Sequence, residues 1–177
     1  MLWWWARHWH SHRADLIRRI CVAAIASLAM AACSASPIPA SGWVVQVIDG
    51  DTVDVRLGNQ TERVRLIGID SPELGYEGEA DECWAQEASL ALQRILPNGT
   101  EVRVVRDRVA RDHYGRLLGY LFIKDDRFVN GEMVLNGYAR VLSIHPNTAY
   151  SDEIQTAESR AHRSNLGLWR ACESSTR

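Results

Sequence analysis

Positive charge is in short supply in this chain: 20 lysines and arginines stand against 22 aspartates and glutamates, a formal net charge of −2. The shortage deepens past Cys33. Arg7, Arg13, Arg18 and Arg19 all precede it against a single acid, Asp15, and the 144 residues that follow hold 16 basic and 21 acidic side chains, a net of −5. A domain so charged does not bind nucleic acid mainly through a bulk positive field, so any anion site must be local. Long apolar runs are missing too. The one candidate, "CVAAIASLAMAA" from Cys21, is short and made of small residues, too short to span a membrane comfortably. No internal repeat is visible, and one low-complexity stretch, "SASPIPAS" at 34–41, interrupts the chain.

A basic segment followed by a short apolar one is the pattern of a secretory signal peptide, placed here at 1–33; an uncleaved N-terminal anchor is the alternative. The end of that run, "MAAC", resembles a bacterial lipobox, in which the cysteine is lipid-modified and becomes the new N-terminus. This marks Cys33 for lipidation, with ordinary cleavage nearby as the other outcome. The expectation is an exported protein, anchored in the bacterial cell envelope through a lipidated N-terminus or secreted. Residues 34–41 then read as a flexible tether. Of the four cysteines, removal of the leader discards Cys21 and a lipid occupies Cys33, leaving Cys83 and Cys172. An even pair in an exported domain favours one disulfide over two free thiols.

What remains is one ordinary domain, 42–172, with a short tail at 173–177. "GWVVQVI" (42–48) and "TVDVRL" (52–57) are β-branched runs separated by "DGD", a hairpin turn. In the second, Val53, Val55 and Leu57 alternate with Asp54 and Arg56 as in a half-buried strand. "GNQ" leads into "RVRLIGI" (63–69), a third antiparallel candidate. A polar loop, 71–83, precedes a helix over 84–96 with Ala88, Leu92, Ile95 and Leu96 along one face, stopped by "PNG". "TEVRVVR" and "RLLGYLFI" predict two more strands, and "RFV" a short third. Asn130 is placed to cap a second helix reaching Gly137. A third helix runs from about Ser151 to Asn165, with Ile154, Ala157, Ala161 and Leu168 inward and Gly167 at its exit. The result is a small α+β domain whose five short strands are compatible with a closed barrel.

Three segments carry candidate chemistry: "DGDT" with Asp49 and Asp51, "VRLIGIDSPE" with Arg65, Asp70 and Glu73, and "DHYGR" with Tyr114 and Arg116. Each has a bland reading: a hairpin turn, a strand exit, a turn with a surface arginine, or an Arg65–Asp70 structural pair. Yet an arginine among apolar neighbours is costly unless carboxylates or an anionic ligand meet it. If the strands pair in order, the first turn and the end of the third strand share one end of the sheet, and Asp51 converges on Asp70. Carboxylates, main-chain carbonyls and water are the ligands a hard cation prefers.

"VIDGDTV", "VRLIGIDSPE", "DHYGRLLGY" and "AHRSNLGLW", in this order from Trp43 to Trp169, resemble the staphylococcal nuclease, or thermonuclease, family. The resemblance implies an OB-fold five-stranded β-barrel with three helices, and Ca2+-dependent hydrolysis of DNA and RNA that leaves 3′-phosphates. Single-stranded or denatured nucleic acid is the expected form of the substrate. Carried over by position, Glu73 is the general base, Arg65 and Arg116 hold the phosphate, and Asp51 and Asp70 bind Ca2+ with the main-chain carbonyl of Ser71. Tyr114 offers its hydroxyl to the substrate phosphate. Nothing in the chain indicates an oligomer, so a monomer is expected.

Departures from the family pattern concern substrate grip. Leu142 and Ile144 stand where stacking tyrosines can occur, and the loop before the first helix is acidic, with Glu77, Glu79, Asp81 and Glu82. His113 is expected in solvent, and the His145–Pro146 bond is cis by resemblance. Two rival readings share the leader: a catalytically weak nuclease-like binding module, and a structural or partner-binding envelope lipoprotein. Neither gives a reason for Asp51, Arg65, Asp70, Glu73 and Arg116 to occur together.

Overall fold

The first strand starts two residues inside the expected tether, at Ala40, because Ala40 and Ser41 pair with Val104 and Arg103. The computed structural model describes residues 40–172; the leader, Cys33, the rest of the tether and the tail lie outside the described residues. The elements in order are β1 (Ala40–Val47), β2 (Thr52–Leu57), β3 (Gln60–Leu66), β4 (Gly68–Asp70), α1 (Ala85–Ile95), β5 (Glu101–Val105), β6 (Leu117–Ile123), β7 (Arg127–Phe128), α2 (Val129–Leu135), β8 (Arg140–Leu142), α3 (Ser151–Arg163) and α4 (Leu168–Ala171).

Strands β1, β2 and β3 form an antiparallel meander, β5 adds to the free edge of β1, and β6 pairs with β5. Parallel pairing of β3 with β6, Val64 opposite Leu117 and Leu66 opposite Gly119, closes the five strands into a barrel. Closure removes the exposed edges that an open sheet of this size would present. Val53, Val55, Val64, Leu66, Val104 and Leu121 are fully buried, as the period-2 patterning requires. Leu92 of α1, Met133 and Val134 of α2 and Ile154 of α3 extend the same core.

The expected single strand 63–69 is broken. Gly68 has φ +83, a left-handed conformation open to glycine at little cost, and there the chain leaves the barrel to pair with β8, Asp70 opposite Arg140. Helix α3 ends earlier than expected, and Leu168 lies on the separate short α4, making four α-helices among the described residues where three helices were expected, beside a 3-10 turn at Lys124–Asp126. Asn130 sits inside α2 rather than capping it. Fully buried, it accepts from the Leu121 N–H at 2.9 Å and donates to the Ile67 carbonyl at 2.9 Å, joining helix, β6 and the strand break.

Cys83 and Cys172 form a disulfide, with Cα atoms 5.8 Å apart. It joins the start of α1 to the end of α4, beside a small satellite core of Ala161, Leu168 and Trp169.

Arginine–carboxylate pairs staple the barrel wall. Arg63 donates to both oxygens of Asp54, at 2.9 and 3.1 Å, and Arg111 grips Glu62 at 2.8 and 2.9 Å. Hydrogen bonds from these arginines hold both carboxyls below the usual carboxylate range. A carboxylate with a depressed folded pKa contributes stability that is present above its unfolded value, about 4, and is lost as pH falls through the folded one. The urea midpoint is therefore expected to fall below pH 4, and Asp54→Asn is expected to flatten that fall.

Candidate active site

The turn between β1 and β2 is built by its own acids. The Asp49 carboxylate accepts the Asp51 N–H at 2.9 Å, and Ile48 N–H bonds to the Thr52 carbonyl at 2.9 Å. Gly50 allows the turn to lie flat against the strand-exit loop. A Cβ there would stand 2.7 Å from the Ser71 side chain and 2.9 Å from Ala88. Asp51, 1% exposed, is thereby brought to Ser71, whose N–H donates to its carboxylate at 2.9 Å.

Arg65 reaches the same point from β3. Its Nε lies 3.0 Å from Asp51 Oδ1, and its Nη2 donates to Asp70 Oδ1 at 2.9 Å. Its Nη1 donates to the carbonyls of Leu66 and Ile69, at 2.6 and 2.9 Å, across the break between β3 and β4. One guanidinium thus satisfies the backbone of the bend and collects both predicted cation-binding carboxylates. The Arg65–Asp70 pair, which the sequence allowed as a merely structural contact, exists within this larger cluster.

Glu73 follows on the exposed loop. Burial pushes its carboxyl above the ordinary value; Asp49, Asp70 and Glu82 push the same way, and Arg65 opposes them. Asp51 is raised to about 6 by burial, with Arg65 and the Ser71 N–H opposing and Asp49 and Glu73 adding to the rise. Burial, more than any charged neighbour, sets this rise.

The second arginine is aimed by a turn. Asp112 accepts the N–H groups of Tyr114 and Arg116 at 3.0 and 2.9 Å, and the Arg116 Nε at 2.7 Å. The Nη nitrogens of Arg116 have no partner among the described residues. Asp112 went unnoticed in the sequence, although Asp at the first and Gly at the fourth position of a turn was legible there. Tyr114 is 74% exposed, its ring 5.5 Å from the Arg116 guanidinium and tilted at 43° against the His113 ring.

Arg65 and Arg116 line one open cleft of about 370 Å3. Its apolar wall comes from Leu118, Leu142, Ile144 and Pro146, the last joined to His145 by a cis peptide bond. Buried Asn147 holds this wall against the β5–β6 loop through two 2.8 Å bonds to the backbone of Val109. Nothing local in the sequence signals that role. His113 is exposed at the cleft's edge.

The candidate ligands near Asp51 are oxygen atoms, and among the described residues no group of three or more His, Cys, Asp or Glu side chains is already placed to hold a metal ion. That set fits a hard cation bound by two carboxylates and a main-chain carbonyl, with water and substrate completing its shell. It does not fit a softer metal demanding imidazole or thiolate. The buried Ser71 Oγ has no hydrogen-bond partner among the described residues.

Comparison with known proteins points the same way. Residues 63–171 match the family described as Staphylococcal nuclease homologue. A thermonuclease of Staphylococcus intermedius is 36% identical over 126 residues, 71% of this chain and 74% of its own length. A thermonuclease of Staphylococcus hyicus is 32% identical over 126 residues, covering 71% and 73%. Endonuclease YhcR of Bacillus subtilis is 34% identical over 138 residues, 72% of this chain but 11% of the much longer endonuclease. The barrel, the ordered motifs and these similarities agree: the chain belongs to the staphylococcal nuclease family.

Proposed function

We propose that this protein is a nuclease that hydrolyses phosphodiester bonds of DNA and RNA with Ca2+ as cofactor, acts on single-stranded or denatured substrate, and leaves 3′-phosphates. The observation that carries the reading is the shared cleft of Arg65 and Arg116, with Asp51 and Asp70 both gathered on Arg65.

The residues divide the work by chemistry. Charge gathers on the non-bridging oxygens of phosphorus in the transition state, and fixed cations there lower the barrier without reorganising. Arg116, anchored through Nε, presents its terminal nitrogens to two of those oxygens. Arg65, which lines the same cleft, offers its remaining donor capacity. Asp51, Asp70 and the Ser71 carbonyl would hold the cation, which when bound would polarise the phosphoryl group and add positive charge beside it. Glu73 takes the proton of the attacking water, and the Tyr114 hydroxyl donates to a phosphate oxygen. Leu142 and Ile144 offer an apolar surface where an aromatic ring would stack a base, a contact worth about 1–3 kcal/mol when aromatic. Weak base preference follows.

Digestion of denatured DNA with Ca2+, with and without chelator, tests this. Cleavage is expected with Ca2+ and is expected to fall at least ~100-fold on chelation. Binding without cleavage would favour a catalytically weak module, and neither binding nor cleavage would leave an envelope protein with a structural barrel. The protein acts outside the cytoplasm as a monomer, a placement supported by the leader at 1–33 and by the Cys83–Cys172 bridge. With Cys33 as the lipid-bearing residue, labelled palmitate is expected to enter the protein and to be lost in Cys33→Ser.

A further inference from the structure

Glu73 sits on an exposed loop, an unusual base for a group that must meet a water molecule within a few tenths of an ångström. The neck of that loop is closed by a reciprocal pair. Glu82 Oε2 accepts the Glu73 N–H at 3.0 Å, and the Glu82 N–H donates to the Glu73 carbonyl at 2.9 Å. Inside the neck, Asp81 accepts the Gly75 N–H at 2.9 Å and the Gln86 side chain of α1 at 2.7 Å. The next residue after Glu82 is Cys83, bridged to Cys172. A continuous path therefore runs from the Glu73 backbone through Glu82 to a covalent anchor on α4.

We propose that Glu82 is a positioning residue for Glu73, and that the Cys83–Cys172 disulfide is the fixed post against which Glu82 holds it. This rests on the nuclease reading and on Glu73 as its base. The acids of this loop, which by composition alone weaken the grip on a polyanion, are in part internal struts. Two of them spend their carboxylates on main-chain N–H groups of the loop itself. A loop end free to wander costs rate steeply, since a misplacement of about 1 Å can cost about 100-fold.

The test is steady-state hydrolysis of denatured DNA with Ca2+ by the mature protein, with hydrogen exchange at the Glu73 amide read in parallel. Glu82→Ala is expected to lower kcat by ~10-fold or more while KM stays within about twofold, and to speed exchange of that amide by a similar factor. Glu82→Gln keeps an oxygen able to accept the same N–H and is expected to recover kcat to within ~3-fold of wild type. The double replacement Cys83→Ser/Cys172→Ser is expected to lower kcat less than Glu82→Ala. Combined with it, the losses are expected to be less than additive, because both loosen one neck. If Glu82→Ala does not fold, Glu82→Asp, one methylene shorter, carries the same expectation. Unchanged kcat in the folded variant, a rise in KM alone, or Glu82→Gln as impaired as Glu82→Ala would each overturn the proposal. If wild type cleaves and Glu73→Gln cleaves equally well, it is the assignment of Glu73 that fails. A wild-type protein without activity removes the nuclease reading, and this inference with it.

Discussion

Replacing Arg65 with alanine is expected to lower turnover by about 100-fold or more and also to destabilise the fold by roughly 3–5 kcal/mol, whereas Arg116→Ala is expected to cause a comparable kinetic loss with little change in stability. The two arginines line one cleft, yet they are held differently. Arg65 is mostly buried, 12% exposed at its side chain, and faces an Asp51 carboxylate that is 1% exposed. Removing it leaves that carboxylate uncompensated and frees the carbonyls of Leu66 and Ile69, which it bridges across the strand break. Among the described residues the Arg116 guanidinium pairs with Asp112 and lies over the Tyr114 ring, at 31% side-chain exposure. On the proposed reading its loss removes a grip on phosphate and little else. Urea denaturation beside steady-state kinetics separates these effects. Equal stability losses in both variants would mean that Arg65 carries no special structural duty, and wild-type turnover in either would remove it from the phosphate site.

Glu73→Gln is expected to slow hydrolysis by about 100-fold to 10,000-fold, the range for removing a positioned general base, with the fold unharmed. The reason for structural tolerance lies in the loop. It is the Glu73 backbone, not its carboxylate, that engages Glu82. The carboxylate itself faces the like charges of Asp49, Asp70 and Glu82, opposed by Arg65. A neutral amide of the same shape relieves that repulsion while losing the ability to take a proton. Single-turnover cleavage with Ca2+, alongside a denaturation midpoint at or slightly above wild type, checks both halves. Near wild-type cleavage by Glu73→Gln would strike Glu73 from the mechanism.

The two substitutions probe different kinds of information in the chain. Elements whose signal is local were legible. "DGD" makes its turn because Asp49 bonds two residues on, and Val53, Val55 and Val64 are buried because β periodicity places them on one face. Five short strands were compatible with a closed barrel, and the parallel pairing of β3 with β6 closes it. Where the sequence misled, a distant partner decided. "RVRLIGI" reads as one strand, yet pairing with Arg140–Leu142 draws its end away from the barrel at Gly68. Asn130 looks like a helix cap and is a buried strut between Leu121 and Ile67.

By itself the sequence determined which side chains were available for chemistry, in what order, and that an arginine set among apolar residues needed an anionic partner. Only the tertiary structure decided who that partner is. Arg65 divides its donors among Asp51, Asp70 and two carbonyls, Asp112 turns Arg116 toward the same cleft, and Glu82 with the Cys83–Cys172 bridge holds Glu73 by its backbone. The physical reason is that turns and periodic burial depend on neighbours a few residues away. A hydrogen bond or ion pair formed across the fold depends on where closure of the barrel happens to bring its two ends, and no local pattern of residues encodes that distance.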